Sequence, residues 1–476
     1  MSAAPVLRRV SGCIDLLAIH RRDPDYYPFL LESVARGGPQ ARYDILFAAP
    51  GAHLILDEQG GLTGAGSGQG DADFLDALDR WLEAESASSP GHGDRPLNDA
   101  VPFRGGWFIY LGYELAGQLE PRLRLPGRAA ADPALPVACA VRVPAAIICD
   151  HAAGETLLVA EPEHAGLLDR LAGDLDDTVG AAKGGPSSVE LSVMEEPAQH
   201  YLASVERIKR YITEGDVFQV NLSRAWRGSP PEGLSPADLY ARLRAANPAP
   251  FAGLARLPGG TLVSSSPERL VRVRDGVIET RPIAGTRPRG PDAAGDAGLI
   301  AELLAHPKER AEHIMLIDLE RNDVGRVAEP GSVRVDELMV LESYAHVHHI
   351  VSNVRGRLRP GVPPGEVIRA VFPGGTITGC PKVRCMEIIA ELEAEARGPY
   401  TGSMGYLNLD GSLDLNILIR TLSMDKEHLT LRAGAGIVAD SEPQRELEET
   451  RAKARGLLLA LEHTGAAPEP EASGRT

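Results

Sequence analysis

Four glutamates occur in two pairs with helical spacing. Glu309 and Glu312 lie three residues apart in KERAEH, and Glu446 and Glu449 do so in RELEET. Because an α-helix has ~3.6 residues per turn, positions three apart share one helix face. Two such faces that converge would offer four carboxylates to a hard divalent cation such as Mg²⁺, which prefers oxygen ligands. Solvated acidic helix faces have the same spacing, so both interpretations stand at this point.

A second set of residues has the chemistry to hold a carboxylate. Gly434, Ala435 and Gly436 are small enough for backbone N–H groups to approach an anion closely. Arg420 could clamp a carboxylate through two donors, and Tyr400 could add a hydroxyl donor. Together these residues predict a pocket for a small polyanion beside the acidic helices.

Two further residues are candidates for acid chemistry and substrate contact. Glu268 follows a Ser-Ser-Ser-Pro turn and would act as a general acid if burial raises its pKa. His349, in the apolar segment VHHIV, could orient a leaving hydroxyl. The alternatives are a solvated turn glutamate and a structural histidine in a strand.

Composition limits the function classes. The 476-residue chain is 43% hydrophobic and 24% charged, which is ordinary for a globular protein. Its net charge of −17 argues against general nucleic-acid or anionic-membrane binding. The five cysteines form no zinc-type spacing and suit reduced thiols, and no apolar run approaches the ~18–20 residues of a membrane span. We therefore expect a cytoplasmic protein.

The chain divides into regions that alternate strands with helices. Residues 84–99 and 180–188 have loop composition, 105–113 is typical of a buried strand, and 216–222 of a strand carrying Gln219. Irregular alternation without a βαβ repeat predicts an α+β fold. The expected regions are an N-terminal part (1–190), a catalytic part (195–463) and a disordered tail (464–476).

Four segments of the C-terminal part are similar to the chorismate-utilising enzymes. They are RPIAGTRPRG (281–290), KERAEHIMLIDLERNDVGRV (308–327), FPGGTITGCPKVRCMEIIAEL (372–392) and AGAGIVADSEPQRELEE (433–449). The resemblance covers roughly residues 195–460 in the same order. It implies two antiparallel β-sheets packed as a sandwich and flanked by helices.

The resemblance also implies a role for each matching residue. Glu312 and Glu449 would hold Mg²⁺ with support from Glu309 and Glu446, while Glu268 would help the C4 hydroxyl to leave and His349 would be the active-site histidine. The chorismate carboxylates would be held by Gly285, Thr286, Tyr400, Arg420, Gly434, Ala435, Gly436 and Lys453.

One position separates water from ammonia as the nucleophile. Family members that add water carry a lysine base where this chain has Gln219, and an amide has no useful basicity near neutral pH. The resemblance therefore implies an amine-transferring enzyme. Because the chain has no Gly-x-Cys-x-Gly nucleophile turn, ammonia is expected from a separate glutamine amidotransferase subunit.

Two products remain possible for such an enzyme. The C-terminal motifs and RYDIL (42–46) are similar to aminodeoxychorismate synthase component I, which implies 4-amino-4-deoxychorismate for p-aminobenzoate and folate synthesis. Ala284 is the anthranilate-synthase residue, where aminodeoxychorismate synthases have a lysine proposed to attack chorismate. The extended similarity favours the first product, with anthranilate as the alternative.

The N-terminal part resembles the tryptophan-binding part of these enzymes. Ser33, in LLES, and Pro250, in NPAPF, match two of its segments and could contact a bound tryptophan or serve only for packing. A catalytically weak homologue that binds the amidotransferase is the alternative from another functional class.

Overall fold

The computed structural model describes residues 5–35, 41–68, 73–88, 101–177, 193–289, 293–305, 307–343 and 347–462. The helices in these ranges are α1 (Leu16–Arg22), α2 (Phe74–Ser88), α3 (Ala116–Leu119), α4 (Leu167–Asp176), α5 (Ala198–Thr213), α6 (Pro236–Ala246), α7 (Ala293–Ala305), α8 (Pro307–Gly325), α9 (Pro364–Val371), α10 (Lys382–Leu392) and α11 (Pro443–Glu462).

The strands contribute to two sheets, in which every recorded pairing is antiparallel. Strands β1 to β9 are Val6–Ser11, Phe29–Glu32, Tyr43–Ala48, His53–Leu56, Leu62–Gly64, Gly106–Leu111, Ala138–Val143, Ala145–Asp150 and Glu155–Ala160. Strands β10 to β16 are Val193–Glu195, Gln219–Gly228, Phe251–Leu257, Gly260–Ser266, Arg269–Arg274, Val277–Thr280 and Ile283–Pro288. Strands β17 to β23 are Arg334–Ser343, Val347–Arg357, Gly379–Cys380, Ser403–Asn408, Leu413–Asn416, Thr421–Met424 and Leu429–Ile437.

The first sheet has 12 strands in the order β1-β9-β8-β3-β2-β12-β13-β22-β23-β11-β10, with β19 paired to β11. The second has 11 strands in the order β16-β18-β15-β14-β21-β20-β6-β7-β4-β5, with β17 paired to β18. Both sheets draw strands from residues before 178 and after 192, so the two expected regions share their sheets. The expected boundary near residue 190 and the tail lie outside the described residues.

Aromatic side chains pack the two sheets face to face. Phe29, from the first sheet, stacks on Phe108, from the second, with ring centroids 3.9 Å apart and an interplanar angle of 2°. Burial of such large apolar side chains is the main favourable contribution to folding. Helices α5, α6 and α11 cover the first sheet, and α8 lies against β15, β16 and β18 of the second. The predicted α+β sandwich is confirmed.

Local sequence signals explain several elements. The Ser235 side chain accepts a hydrogen bond from the Asp238 N–H and caps α6, whose first residue is proline. Gly215, with φ of +86°, follows the end of α5 as expected of a glycine after a helix. All six residues of β6 are buried.

Two expectations were wrong in detail. The loop predicted for residues 84–99 is wrong for 84–88, because α2 continues to Ser88 through Ala and Glu, which favour helices, and the remainder lies outside the described residues. Strand β11 begins at Gln219 and is longer than expected.

In the described ranges no helix combines the length and apolar character needed to span a bilayer.

Candidate active site

The candidate residues lie where the chain crosses between the sheets. Glu268 separates β13, in the first sheet, from β14, in the second, and Arg420 separates β21, in the second, from β22, in the first. Backbone hydrogen bonds join the two crossovers, because the Ser265 N–H donates to the Arg420 carbonyl (3.0 Å) and the Ile417 N–H to the Glu268 carbonyl (3.0 Å). The crossovers therefore place an acid and a cation side by side.

Glu268 is a buried carboxyl with few compensating contacts. It is 5% exposed, and the Thr376 hydroxyl donates to its Oε1 at 2.9 Å. Burial raises the pKa of Glu268 to about 7, although hydrogen bonds from Thr376 and the Ile283 N–H and the charges of Arg420 and Lys453 act in the opposite direction. A carboxyl that is half protonated near neutral pH can serve as a general acid.

Arg420 presents a cation without a carboxylate partner. Its backbone adopts φ of +52°, which is uncommon for a residue other than glycine. Among the described residues, no carboxylate oxygen lies within 4.0 Å of its guanidinium. Burial lowers the pKa of Arg420, and the fields of Tyr400, Glu268 and Glu449 oppose that effect. Because a desolvated guanidinium needs a counter-charge, this position is suited to an anionic ligand.

Two glycines of β23 allow close approach to the site. A Cβ at Gly434 would lie 2.6 Å from both the Tyr400 hydroxyl and Asn221 Oδ1, and one at Gly436 would lie 2.5 Å from Gln219 Nε2. The Lys453 ammonium donates to the Gly434 carbonyl at 3.0 Å. These contacts bring Tyr400, the glycines and Lys453 together, as the sequence predicted.

Ala435 occupies the opposite face of β23. Successive side chains of a strand point to opposite faces, and the Ala435 methyl group packs in the core with Leu222 and Ile437. The predicted role of Ala435 in substrate binding is thus limited to its backbone.

His349 lies in β18 and is neutral near physiological pH. Burial first, and then the positive charge of Arg420, lowers its pKa to about 4. The same strand pairs with β16, placing Thr286 opposite His349, while Gly285 and Ala284 lie one and two residues earlier along β16. The side chains of Ala284 and Thr286 lie outside what the structure describes.

The candidate metal ligands lie on α8 and α11. Glu312 and Glu446 are half-buried and Glu449 is exposed, whereas the side chain of Glu309 is not among those described. Glu449 contacts the Lys453 ammonium at 2.6 Å. Burial first, and then the charges of Glu446 and Glu449, raise the pKa of Tyr201, whose buried hydroxyl has no hydrogen-bond partner in the described residues. These carboxylates are the donor type that fits a hard divalent cation.

Ser33 and Pro250 line a separate cavity of about 300 Å³ between the sheets. The Ser33 hydroxyl donates to the Pro250 carbonyl at 3.2 Å. Five arginines also line this cavity, and each lies near a carboxylate: Arg42, Arg104, Arg269, Arg272 and Arg274. The two residues predicted for tryptophan contact are therefore neighbours on one cavity wall.

Sequence reasoning missed two polar groups near the site, those of Thr376 and Asn221. Thr376 holds Glu268, and its position in the FPGGTITGCP motif was the available signal. Asn221 Oδ1 and Gln219 Oε1 are buried without a partner among the described residues. Because they lie two residues apart on β11, both face the same side, and alternation along that strand could have identified Asn221.

Comparison with known proteins agrees with this geometry. The sequence profile of the family described as chorismate binding enzyme matches residues 35–459. Anthranilate synthase component 1 of Streptomyces coelicolor is 40% identical over 469 residues, covering 93% of this chain and 85% of that protein. Aminodeoxychorismate synthase component 1 of Bacillus subtilis is 51% identical over 259 residues, covering 54% of this chain and 55% of that protein.

The fold has a solved counterpart of similar extent. The crystal structure of anthranilate synthase component I from Streptococcus pneumoniae superposes with a TM-score of 0.76 at 30% identity, covering 89% of this chain and 93% of that one. The profile match spans most of the chain and both sheets of the sandwich. The chain belongs to the chorismate binding enzymes.

Proposed function

We propose that this chain is the chorismate-aminating subunit of a two-component synthase, making 4-amino-4-deoxychorismate from chorismate and ammonia with Mg²⁺. The observation that carries the proposal is the unpaired guanidinium of Arg420 beside the buried carboxyl of Glu268. A dianionic substrate with a hydroxyl leaving group needs this pairing of a cation with an acid.

Carboxylate binding follows from the charges and the backbone of the site. Arg420 binds one chorismate carboxylate through two N–H donors, which is the strongest geometry available to a side chain. Gly434 and Gly436 bring no side chain into the site, so the Tyr400 hydroxyl and the Gln219 amide pack directly against β23 there. Tyr400 adds a hydroxyl donor next to Gly434.

Departure of the C4 hydroxyl requires a proton. In the protonated form, Glu268 donates that proton to the hydroxyl oxygen, which leaves as water, and the Thr376 hydroxyl fixes the direction of the carboxyl. His349 is neutral, so it contributes a hydrogen bond rather than a charge.

The nucleophile is ammonia rather than water. Gln219 supplies no base, so a water molecule at this position would stay unactivated. Ammonia needs no such base, and the unpaired oxygens of Gln219 and Asn221 accept its N–H groups while its lone pair faces chorismate. A glutamine amidotransferase subunit is the expected source of the ammonia.

Glu312 and Glu449, supported by Glu309 and Glu446, are the residues proposed to hold Mg²⁺. When bound, Mg²⁺ supplies positive charge that offsets the substrate carboxylate facing the acidic helices. The exposed Glu449 and half-buried Glu312 leave ligand positions to water, as this ion prefers.

The choice of product rests on similarity within part of the chain. The alignment with the Bacillus subtilis aminodeoxychorismate synthase, at 51% identity over 259 residues, supports amination at C4. The RYDIL segment supports the same product. Anthranilate is the second candidate, because Ala284 offers no amine to attack C2 and the Streptomyces coelicolor relative is an anthranilate synthase. If that product forms, ammonia attacks C2 and pyruvate leaves.

The cavity beside Ser33 and Pro250 is proposed to hold tryptophan, as a regulator or a structural ligand. Its volume of about 300 Å³ accommodates an amino acid of that size. Calorimetric titration with tryptophan tests this, with Ser33→Ala as the variant that should weaken binding and phenylalanine as the ligand control.

Product analysis tests the proposed function. The purified chain receives chorismate, Mg²⁺ and concentrated ammonium, with and without an aminodeoxychorismate lyase. We expect p-aminobenzoate only when the lyase is present. Direct formation of anthranilate and pyruvate would select the second candidate, and absence of any Mg²⁺-dependent turnover would overturn both.

A further inference from the structure

Two cysteines and a histidine meet at the N-terminal end of the first sheet, far along the chain from the catalytic residues. The ligand atoms of Cys13, Cys149 and His151 all lie within 4.8 Å of one another. In the part of the chain that the structure describes, no other group of three or more His, Cys, Asp or Glu residues meets this criterion.

Strand pairing explains why residues so distant in sequence come together. Strand β9 pairs with both β1 and β8, with Ser11 opposite Glu155 and Cys149 opposite Thr156. The Thr156 hydroxyl donates to the Gly12 carbonyl at 2.7 Å, and Gly12 adopts φ of +87°. This turn after β1 places Cys13 over the end of β8.

The donor set has the chemistry of a transition-metal site. Thiolate and imidazole are the ligands that zinc prefers, and two ligand atoms ~2.3 Å from a tetrahedral ion lie ~3.8 Å apart. A small movement would therefore close the observed cluster around an ion. Cys13 is exposed and Cys149 is buried, so an ion could enter from the solvent side and be fixed from the protein side.

A carboxylate already holds the histidine. His151 Nε2 lies 2.5 Å from Asp44 Oδ2, so Nδ1 is the ring nitrogen left for a metal. Metal-binding histidines commonly have such a carboxylate on the second nitrogen, where it fixes the tautomer and the ring orientation.

We propose that Cys13, Cys149 and His151 bind Zn²⁺, with water as the fourth ligand, at a site separate from the glutamates of α8 and α11. Binding breaks two S–H bonds and forms two S–Zn bonds, and both protons go to solvent. The imidazole binds in its neutral form, and no group is oxidised or reduced.

This site connects to the cavity lined by Ser33. Asp44 Oδ1 accepts a hydrogen bond from the Ser33 N–H at 2.8 Å while Oδ2 holds His151. Zinc at His151 therefore fixes Asp44 and, through it, the cavity wall. The consequence is that occupancy of the metal site changes ligand affinity in the cavity without touching the catalytic residues.

Cobalt is the probe for the test because Co²⁺ bound to thiolate gives an intense near-ultraviolet charge-transfer band that carboxylate ligands do not give. The full-length chain, freed of metal and kept reduced, is titrated with Co²⁺ and then with Zn²⁺. We expect the band to saturate at one equivalent and to disappear when Zn²⁺ displaces Co²⁺.

Cys13→Ser is the decisive variant because Cys13 is exposed, so its replacement should leave the melting temperature unchanged. Cys139→Ser is the matched control, since Cys139 is a buried cysteine of β7 outside the cluster. The band should be lost in the first variant and kept in the second. A band that never forms, or that persists in Cys13→Ser, would overturn the proposal.

Asp44→Asn tests the connection to the cavity. Loss of the carboxylate on the histidine should weaken Zn²⁺ binding by about 10–100-fold, measured by competition with a chromophoric chelator. Unchanged affinity would show that Asp44 does not support the metal site, and the connection to the cavity would then be rejected.

Discussion

The candidate active site and the cavity beside Ser33 each have a buried glutamate near an arginine, but their charges are arranged differently. Glu32 lines the cavity, Arg244 Nη1 lies 3.2 Å from its carboxylate, and the Tyr240 hydroxyl donates to the same carboxylate at 2.6 Å. Arg269 pairs with Asp414 through two hydrogen bonds. In the site, Arg420 has no carboxylate partner among the described residues. The paired arginines stabilise the fold, whereas the unpaired Arg420 is suited to binding an anion.

Replacing each buried glutamate should have very different effects on catalysis. Glu268→Gln removes the proton donor and should lower kcat by about 10²–10⁴-fold, because general acid catalysis contributes that much. Glu32→Gln should change kcat by less than about threefold and instead lower the melting temperature, since Arg244 loses one of its two carboxylate partners. Steady-state kinetics and thermal unfolding of both variants measure this contrast. Equal losses of kcat would show that Glu268 is structural.

A methyl group added at Gly434 should reduce activity strongly. Its Cβ would lie 2.6 Å from the Tyr400 hydroxyl and 2.7 Å from the Leu222 carbonyl, which belongs to the backbone and cannot move freely. Displacement of about 1 Å in such a site can cost about 10²-fold in kcat/KM. Gly436→Ala meets only the Gln219 amide and should cost about tenfold or less. If Gly436→Ala lost more activity than Gly434→Ala, Gly434 would not lie on the face that binds the substrate.

The pH dependence of kcat should follow Glu268. Since the pKa of Glu268 is raised to about 7 and the protonated form is the acid, kcat should fall as pH rises through about 7. Thr376→Val removes a hydrogen bond that lowers this pKa, so the alkaline limb should move to higher pH by about 0.5–1. Free ammonia must be held constant across the profile. If the alkaline limb of the kcat–pH profile did not move in Thr376→Val, the titrating group would not be Glu268.

Sequence motifs named most of the residues that meet at the candidate site, because these residues lie in a few short segments. Glu268, Tyr400, Arg420, Gly434 and Lys453 were all identified from their motifs, and the structure places them around the two crossovers. No motif predicted which arginines are paired with carboxylates. Arg269 forms an ion pair with Asp414, 145 residues away, whereas Arg420 has no carboxylate partner among the described residues. This difference depends on which strands the sheets bring together.

Long-range pairing also explains the features that sequence reasoning missed. Cysteine spacing along the chain gave no metal signal, yet the turn at Gly12 brings Cys13 to Cys149 across β9. Likewise, Thr376 reaches Glu268 across 108 residues. Local signals predicted helix caps and buried strands well because those depend on neighbours in sequence. The end of α2 at Ser88 was missed, since composition alone does not mark where a helix stops.

Equilibrium binding of chorismate, with Mg²⁺ present and ammonium absent, tests the central claim most directly. Arg420→Ala should weaken the Kd by about 10²–10³-fold, because the chorismate carboxylate loses its cationic partner. Arg42→Ala, which removes an arginine paired with Asp150 beside the cavity, should leave the Kd within about threefold. Titration calorimetry measures both values. If Arg420→Ala binds chorismate as tightly as the wild-type chain, the unpaired arginine is not the substrate's anchor and the account is contradicted.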